Sequence, residues 1–285
     1  PRVMSAPIRD QGQVVSARDL ADLSTVAHDL WGLQIGEKKR AVVEGRLSKL
    51  LRQTGCQDLP SLVSALQARQ DSRLALAAFD VLSTNHTHFF REAAHFDWLR
   101  SEILGAIVPD PAEPPRLRIW SAGCSNGCEP YSIAMVLASS LRGLRNVDAR
   151  ILATDLAISE LRTAQRGVYA EKFLEGLDRR SIERFFVRTE TADGPRYEVL
   201  PGLRRLVRFG LLNLLEPWTL KGPFDAIFCR NVMIYFDEPT RRSLVQRFLD
   251  LLRPGGLLFL GTSEGVAGKF DGLRALEASA YQKAR

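Results

Sequence analysis

The fold class is indicated most clearly by residues 119–130, which read Ile119-Trp120-Ser121-Ala122-Gly123-Cys124-Ser125-Asn126-Gly127-Cys128-Glu129-Pro130. Its pattern predicts a buried strand, a turn with glycines at 123 and 127, and the start of a helix. Glycine allows the backbone to turn sharply and to approach a ligand that a Cβ atom would exclude. The turn is not GxGxxG and no GK[ST] follows, so neither a pyrophosphate site nor a P-loop is predicted. A GxxxG turn after the first strand instead suits a nucleoside ligand without phosphates.

An acidic residue ends the next predicted strand, 151–155. At this position the carboxylate of Asp155 can accept hydrogen bonds from both hydroxyls of a ribose. Each motif alone also fits a simpler interpretation, which is a tight strand-to-helix turn and an Asp that caps a helix. Together, and in this order, the two motifs favour a nucleoside cofactor.

The order of the predicted elements indicates the fold class. From Arg116 onward, short apolar runs alternate with helical patterns, which is typical of βαβ units and a parallel sheet. The predicted elements are strands at 117–121, 151–155, 224–229 and 257–261, helices at 130–141 and 239–252, and a Pro-Gly-Gly turn at 254–256. Three shorter runs interrupt this alternation, at 185–187, 196–199 and 206–209. They predict a small antiparallel β insertion at about 184–210.

The first 83 residues contain helical patterns and no convincing strand. Start and stop residues predict four helices, between Ser16 and Gly32, from about Glu37 to Thr54, opening with Pro60, and from Asp71 to near Ser83. We therefore expect a helical domain over 1–83 and an α/β domain over 84–285.

The composition is that of a globular protein, with 45% hydrophobic and 25% charged residues. Lys and Arg number 39 against 33 Asp and Glu, and the resulting charge of +6 favours an acidic partner. No apolar run approaches the roughly 20 residues of a membrane span. Four irregularly spaced cysteines indicate reduced thiols, so a cytoplasmic location is expected.

Part of the positive charge is concentrated on the second predicted helix. Lys38, Arg46, Lys49 and Arg52 lie broadly opposite its apolar face. A solvated surface is the usual explanation for such a face, and a docking surface for an acidic partner is the alternative.

Three longer motifs carry a resemblance to a known family. They are Thr84-Asn85-His86-Thr87-His88-Phe89-Phe90-Arg91-Glu92, Glu129-Pro130-Tyr131-Ser132-Ile133-Ala134 and Cys229-Arg230-Asn231-Val232-Met233-Ile234-Tyr235-Phe236. The chain resembles the chemotaxis receptor methyltransferases, the CheR-type protein-glutamate O-methyltransferases, over nearly its whole length. The resemblance implies a class I S-adenosylmethionine-dependent methyltransferase core of Rossmann-like α/β fold, an N-terminal all-α domain and a small antiparallel β insertion. It also implies S-adenosylmethionine as cofactor, S-adenosylhomocysteine as product and no metal.

The resemblance assigns roles to individual residues. Arg91 and Tyr235 are expected to face the transferring methyl group. The residues expected to surround the cofactor are Asn85, Thr87, Arg91, Gly123, Glu129, Asp155, Asn213, Leu214, Arg230 and Asn231. Without these motifs, a surface salt bridge with Glu92 would be the simpler role for Arg91, and an interface aromatic the simpler role for Tyr235.

The implied substrate is the cytoplasmic domain of a chemoreceptor. Its acidic methylation helices would dock on Lys38, Arg46, Lys49 and Arg52. A C-terminal receptor peptide bound at the β insertion is a further implied partner, which only some members of the family use. The chain is expected to act as a monomer, without nucleic acid and without insertion into a membrane.

Two other functions are compatible with parts of the sequence. A nucleic-acid methyltransferase would share the core, but it predicts an Asn/Asp-Pro-Pro-aromatic signature where this chain has Arg230-Asn231-Val232-Met233. It also predicts aromatic residues among the basic residues of the second helix, and none are present. A non-catalytic adaptor that binds the cofactor would tolerate loss of Arg91 and Tyr235, which are present.

The histidines at 86, 88 and 95 lack a further ligand at metal-binding spacing.

Overall fold

The computed structural model describes residues 15–107, 114–141, 147–266 and 268–284; the side chain of Lys38 is outside this description. The chain divides into two compact units, Pro1–Ser83 and Thr84–Arg285. Within the described residues, no helix is both long and apolar enough to cross a membrane.

From residue 15 onward, where the structure describes it, the N-terminal unit has four α-helices. They are α1 (Ala17–Trp31), α2 (Arg40–Thr54), α3 (Leu59–Ala68) and α4 (Ser72–Leu82), with a 3₁₀ turn at Glu37–Lys39 before α2. The predicted start signals are confirmed, because Ser16 accepts a hydrogen bond from the N–H of Asp19 and Asp71 accepts from the N–H groups of Arg73 and Leu74. Gly32 ends α1 with a φ of 68°.

The apolar face predicted for α2 is buried. Val43, Leu47 and Leu50 are at most 4% exposed. Their spacing places them on one side of the helix, where they help to form the core of this unit.

The C-terminal unit is built on a seven-stranded sheet in the order β6-β2-β1-β7-β8-β10-β9. Its strands are β1 (Arg116–Ala122), β2 (Asp148–Asp155), β6 (Val207–Leu211), β7 (Phe224–Cys229), β8 (Leu252–Leu260), β9 (Leu273–Ala275) and β10 (Ala280–Lys283). The first five strands in the spatial order are parallel, β10 pairs with β8 in antiparallel orientation, and β9 pairs with β10 in antiparallel orientation.

Helices cover both faces of this sheet. The helices of this unit are α5 (Ala94–Trp98), α6 (Cys128–Ser140), α7 (Ile158–Arg166), α8 (Arg179–Phe185), α9 (Pro201–Arg204) and α10 (Glu238–Leu251), and a π-helical turn at Leu99–Leu104 continues α5. Neighbouring residues of β1 face opposite sides, since Ile119 packs in one cluster with Ile133 of α6 and Trp120 packs in another with Phe248 of α10. The strands are therefore buried on both sides, as in other parallel sheets.

A second sheet of three antiparallel strands has the order β3-β5-β4. Its strands are β3 (Val168–Ala170), β4 (Phe186–Thr191) and β5 (Gly194–Val199). The predicted third strand at 206–209 is wrong for this sheet, because those residues belong to β6 and pair in parallel with β2. The short segment Val168–Ala170 takes that place by pairing with β5.

The Pro-Gly-Gly segment before the last predicted strand also differs from expectation. It lies within β8, which begins at Leu252. The pairing with β7 is irregular there, since Phe224 pairs with Leu252 but Ala226 pairs with Leu257. The residues between form a bulge, which explains how proline and glycine are accommodated in a strand.

Candidate active site

Four parallel strands bring the predicted cofactor residues to one edge of the large sheet. Gly123 follows β1, Asp155 ends β2, Asn213 follows β6 and Arg230 follows β7. These strands are neighbours in the order β6-β2-β1-β7. Because the carboxyl ends of parallel strands meet at the same edge, residues from four distant parts of the sequence share one site.

The glycine turn after β1 depends on the absence of a side chain. Gly123 has a φ of 82°, and a Cβ atom added there would lie 2.3 Å from Cγ2 of Val232. The N–H groups of Gly123 and Cys124 both donate to the carbonyl oxygen of Thr154, at 2.8 and 2.9 Å. The turn therefore lies directly against the segment that follows β7, at a distance that only a residue without a Cβ atom allows.

Asp155 fixes the other side of this turn. Its Oδ2 accepts a hydrogen bond from the N–H of Ser125 at 2.7 Å, and its Oδ1 accepts from the N–H of Ala157 at 2.8 Å. The carboxylate is thus held at the carboxyl end of β2, where a nucleoside ribose binds in open α/β sheets. The bare glycine backbone and this carboxylate are compatible with the cofactor that the sequence implies.

Glu129 and Arg230 form a buried ion pair. Nε of Arg230 donates to Oε2 of Glu129 at 2.7 Å, and Oγ of Ser121 donates to Oε1 at 2.6 Å. The side chains of Glu129 and Arg230 are 9% and 3% exposed. Charges buried to this extent must be paired and hydrogen-bonded, and here each supplies the partner of the other. Because Glu129 lies in the first turn of α6 and Arg230 directly follows β7, the pair also joins these two elements.

His95 extends this network. Nη1 of Arg230 donates to Nδ1 of His95 at 3.1 Å and also to the carbonyl oxygen of Arg91 at 2.6 Å. Arginine cannot accept a hydrogen bond, so Nδ1 of His95 accepts and its Nε2–H donates to the carbonyl oxygen of Ala278. Burial, and then the nearby positive charge of Arg230, lower the pKa of His95 below 6.5. The imidazole is therefore neutral at physiological pH.

Arg91 and Tyr235 are both tied to the segment that begins the C-terminal unit. Nη1 of Arg91 donates to the carbonyl oxygen of His86 at 2.8 Å, and the hydroxyl of Tyr235 donates to the carbonyl oxygen of Thr84 at 3.2 Å. Burial raises the pKa of Tyr235 above 10, and the positive charge of Arg91 opposes the shift. The hydroxyl of Tyr235 therefore stays protonated at neutral pH and can donate a hydrogen bond.

The backbone on either side of Arg91 has an uncommon conformation. Phe90 and Glu92 have φ values of 54° and 56°, in the left-handed region that residues other than glycine seldom adopt. The N–H of Phe90 donates to Oγ of Ser132 at 2.9 Å, and the carbonyl oxygen of Arg91 accepts from Arg230. Contacts from α6 and from the end of β7 thus hold Arg91 in place, and such conformations concentrate at functional sites.

The remaining predicted cofactor residues lie on loops at this edge. Asn85 and Thr87 are half-buried in the segment before Arg91. Leu214 is 8% exposed in the loop after β6, and Oδ1 of Asn213 accepts from the N–H of Leu215 at 3.1 Å. Asn231 has a φ of 59° directly after Arg230.

The predicted docking residues lie in the N-terminal unit and differ in exposure. Lys49 and Arg52 are exposed on α2, while the side chain of Lys38 lies outside the described residues. Arg46 corrects the expectation of an outward basic group, since it is half-buried and its Nη1 donates to the carbonyl oxygens of Val81 at 2.9 Å and Ser83 at 2.8 Å. Arg46 thus caps carbonyl groups at the end of α4 that the helix leaves without partners.

Sequence reasoning missed Glu264, which is 2% exposed and accepts hydrogen bonds from the segment after β7. A charged residue three positions after Gly261, at the end of an apolar strand, was the available signal.

No group of three or more His, Cys, Asp or Glu side chains within 15–107, 114–141, 147–266 and 268–284 is arranged to hold a metal ion.

Two family models together match most of the chain. The CheR methyltransferase all-alpha domain matches residues 18–82, and the CheR methyltransferase SAM binding domain matches residues 85–281. The chemotaxis protein methyltransferase of Borreliella burgdorferi is 36% identical to this chain over 94% of this chain and 95% of its own length. The chemotaxis protein methyltransferase of Salmonella typhimurium is 40% identical over 83% and 80%. That of Escherichia coli is 38% identical over 86% and 83%. The chain therefore belongs to the CheR methyltransferase family.

Proposed function

We propose that this protein transfers methyl groups from S-adenosylmethionine to glutamate side chains of chemoreceptors and forms glutamate methyl esters. The observation that carries the proposal is the placement of Arg91 and Tyr235. Both are anchored to carbonyl groups of residues 84–86, and the backbone of Arg91 is bonded to Arg230 at the cofactor edge of the sheet. Membership of the family, including a match to its SAM binding domain, supports the same reaction.

The cofactor would be held at the carboxyl ends of the four parallel strands. The residues proposed to hold it are Asn85, Thr87, Arg91, Gly123, Glu129, Asp155, Asn213, Leu214, Arg230 and Asn231. When bound, S-adenosylmethionine supplies an electrophilic methyl group. Glu129 and Arg230 bond to each other, so we assign them to holding the surrounding backbone as well as to lining the site.

The chain needs no general base for this reaction. A glutamate side chain has an ordinary pKa of about 4.3 and is ionised at neutral pH. Its oxygen is thus already a nucleophile, and the task of the protein is to orient it in line and to exclude water. The planar guanidinium of Arg91 can orient a carboxylate through two parallel hydrogen bonds. The protonated hydroxyl of Tyr235 has a single O–H donor, which can turn from the carbonyl oxygen of Thr84 to the carboxylate.

Two surfaces are proposed to bind the receptor. The exposed basic residues Lys49 and Arg52 on α2 would contact acidic methylation helices. In the small sheet β4 is an edge strand, and its side chains beyond Phe186 are exposed, so it would accept a receptor C-terminal peptide as an added strand.

The deciding experiment is incubation of the protein with methyl-labelled S-adenosylmethionine and the cytoplasmic fragment of a chemoreceptor. The proposal expects label on receptor glutamates that is released by mild alkali, because methyl esters hydrolyse in base. Label that is stable to alkali, or label on RNA alone, would contradict it.

A further inference from the structure

Glu264 is a buried carboxylate beside the candidate site. It follows β8 and is 2% exposed. Its Oε2 accepts hydrogen bonds from the N–H groups of Asn231 and Gly261, both at 2.7 Å, and its Oε1 accepts from the N–H of Ile234 at 2.9 Å. Burial raises the pKa of Glu264, and these backbone hydrogen bonds oppose the rise. The carboxylate is therefore satisfied mainly by main-chain donors.

Two of these donors come from the segment 230–235, which carries three predicted site residues. Asn231 is the second residue of this segment, and Ile234 lies inside the 3₁₀ turn Met233–Tyr235. One carboxylate thus fixes the backbone beside Arg230 and the backbone beside Tyr235 at the same time.

The local packing shows how closely this contact is fitted. A Cβ atom added to Gly261 would lie 2.6 Å from Oε2 of Glu264 and 2.7 Å from Nδ2 of Asn231. Asn231 has a φ of 59°, in the left-handed region that residues other than glycine seldom adopt unless surrounding contacts hold them there. The bond from the N–H of Asn231 to Glu264 is such a contact.

We propose that Glu264 is a positioning residue: it holds segment 230–235 in the conformation that presents Asn231 to the cofactor and Tyr235 to the reacting carboxylate. The inference rests on the proposed function for the identity of the groups that the segment presents. Glu264 itself touches backbone and takes no part in the transfer.

The chemistry of the contact requires a carboxylate. Both oxygens of Glu264 accept from N–H groups, and an ionised carboxylate is the side chain that offers acceptors at both positions without a donor. In Glu264→Gln the NH₂ group must replace one oxygen and face an N–H. One orientation loses the bond to Ile234, and the other loses the bonds to Asn231 and Gly261.

Hydrogen–deuterium exchange and binding of S-adenosylhomocysteine test this role without receptor and without turnover. For Glu264→Gln, well below its thermal midpoint, we expect exchange in peptides covering 230–236 to accelerate about tenfold or more. The Kd for S-adenosylhomocysteine should rise by about tenfold, in proportion to the lost pre-organisation. Peptides of β1 should exchange as in the parent protein.

The matched control is Glu277→Gln, which changes an exposed glutamate near the C-terminus and should leave both readouts unchanged. If Glu264→Gln fails to fold, Glu264→Asp keeps both acceptor oxygens but shortens the reach, and the same two shifts are expected. A purely structural role would lower the thermal midpoint yet leave exchange at 230–236 and the Kd of the folded protein unchanged, and that result would overturn the proposal. Because neither readout involves a receptor, failure here is distinct from failure to form glutamate esters.

Discussion

The carboxylate of Glu129 lies 2.7 Å from Nε of Arg230, although 101 positions separate the two residues in the sequence. Both side chains are buried, and Arg230 also bonds to the backbone of Arg91 and to His95. The pair thus connects the helix after the glycine turn, the segment that carries Arg91 and the end of β7. The candidate site depends on this connection.

We expect Glu129→Ala to lower the free energy of unfolding by about 3–5 kcal/mol, because it leaves the charge of Arg230 buried without a partner. Urea unfolding followed by tryptophan fluorescence measures this. A Trp31→Phe background confines the signal to Trp98, Trp120 and Trp218 of the C-terminal unit.

Glu183→Ala is the control for Glu129→Ala. Glu183 also pairs with an arginine, Arg179, but both side chains are exposed to solvent. Exposed pairs contribute little to stability, so little change is expected. Equal losses in the two variants would show that the buried Glu129–Arg230 pair contributes no more to stability than the exposed pair.

Ser132→Ala should disturb the strained backbone before Arg91. It removes the acceptor for the N–H of Phe90, and an unsatisfied buried donor costs about 1–3 kcal/mol. We expect methyl transfer to fall more than cofactor binding, because Arg91 follows Phe90 directly. Initial rates and calorimetric titration with S-adenosylhomocysteine measure the two effects.

The same helix provides a control for this substitution. Ser139, like Ser132, donates to the carbonyl oxygen four residues earlier, but it accepts no hydrogen bond from the segment 89–92. Ser139→Ala should therefore keep normal transfer. If both variants lose activity equally, the bond to Phe90 has no special role.

Stability should fall as the pH drops below about 6.5, and His95 should cause part of the fall. The unfolded chain binds a proton at the ordinary pKa of 6.5, whereas burial and Arg230 lower the pKa of His95 in the folded state. Glu92, at 3.6 Å from Nδ1, and the carbonyl oxygen of Ala278 act in the opposite direction. Since unfolding takes up a proton in this range, the contribution is complete above pH 6.5 and is lost towards the lowered pKa.

The measurement compares the free energy of unfolding at pH 5.5 and 7.5, values about one unit either side of the ordinary pKa of histidine, for the parent protein and His95→Gln. The decrease should be smaller in His95→Gln, which cannot titrate. Burial also lowers the pKa of His88, but His88 is present in both proteins and cancels in the comparison. An identical decrease would assign the pH dependence to other groups.

Arg91→Ala should reduce methyl transfer by about 100-fold or more, the usual effect of removing one donor that orients a reacting oxygen. Binding of S-adenosylhomocysteine should weaken less. Arg91→Lys keeps the charge but loses the planar pair of donors, so its rate of methyl transfer should lie between those of the parent protein and Arg91→Ala. Arg100→Ala, which removes an arginine paired with Asp97 on the surface, is the control. Unchanged turnover in Arg91→Ala would remove Arg91 from the mechanism.

Much of the fold was predictable because its signals are local. Ser16 and Asp71 cap the helices that they were expected to cap, and β7 has its predicted bounds, Phe224–Cys229. Such signals depend on hydrogen bonds within a few residues and on the burial of an apolar run, both of which a short window of sequence contains.

Pairing partners were less predictable. The run at 206–209 was correctly predicted to be extended, but it joined the large sheet beside β2 and left its predicted place to Val168–Ala170. A short apolar run favours a strand without indicating which strand lies next to it, because the neighbour is selected by the packing of the whole unit.

Sequence patterns alone predicted the four N-terminal helices, the alternation of the core strands β1, β2, β7 and β8 with helices, the glycine turn, the polar residues at the ends of β2 and β7, and the family. They did not indicate α7, β3, β9 or β10. Tertiary structure alone decided which charges meet: Glu129 with Arg230, Glu264 with the N–H groups of Asn231 and Ile234, and Arg46 with the end of α4. The physical reason is that a periodic pattern reports whether a side chain is buried. The partner that makes a buried charge tolerable comes from a distant segment, and only the folded chain brings it within hydrogen-bond distance.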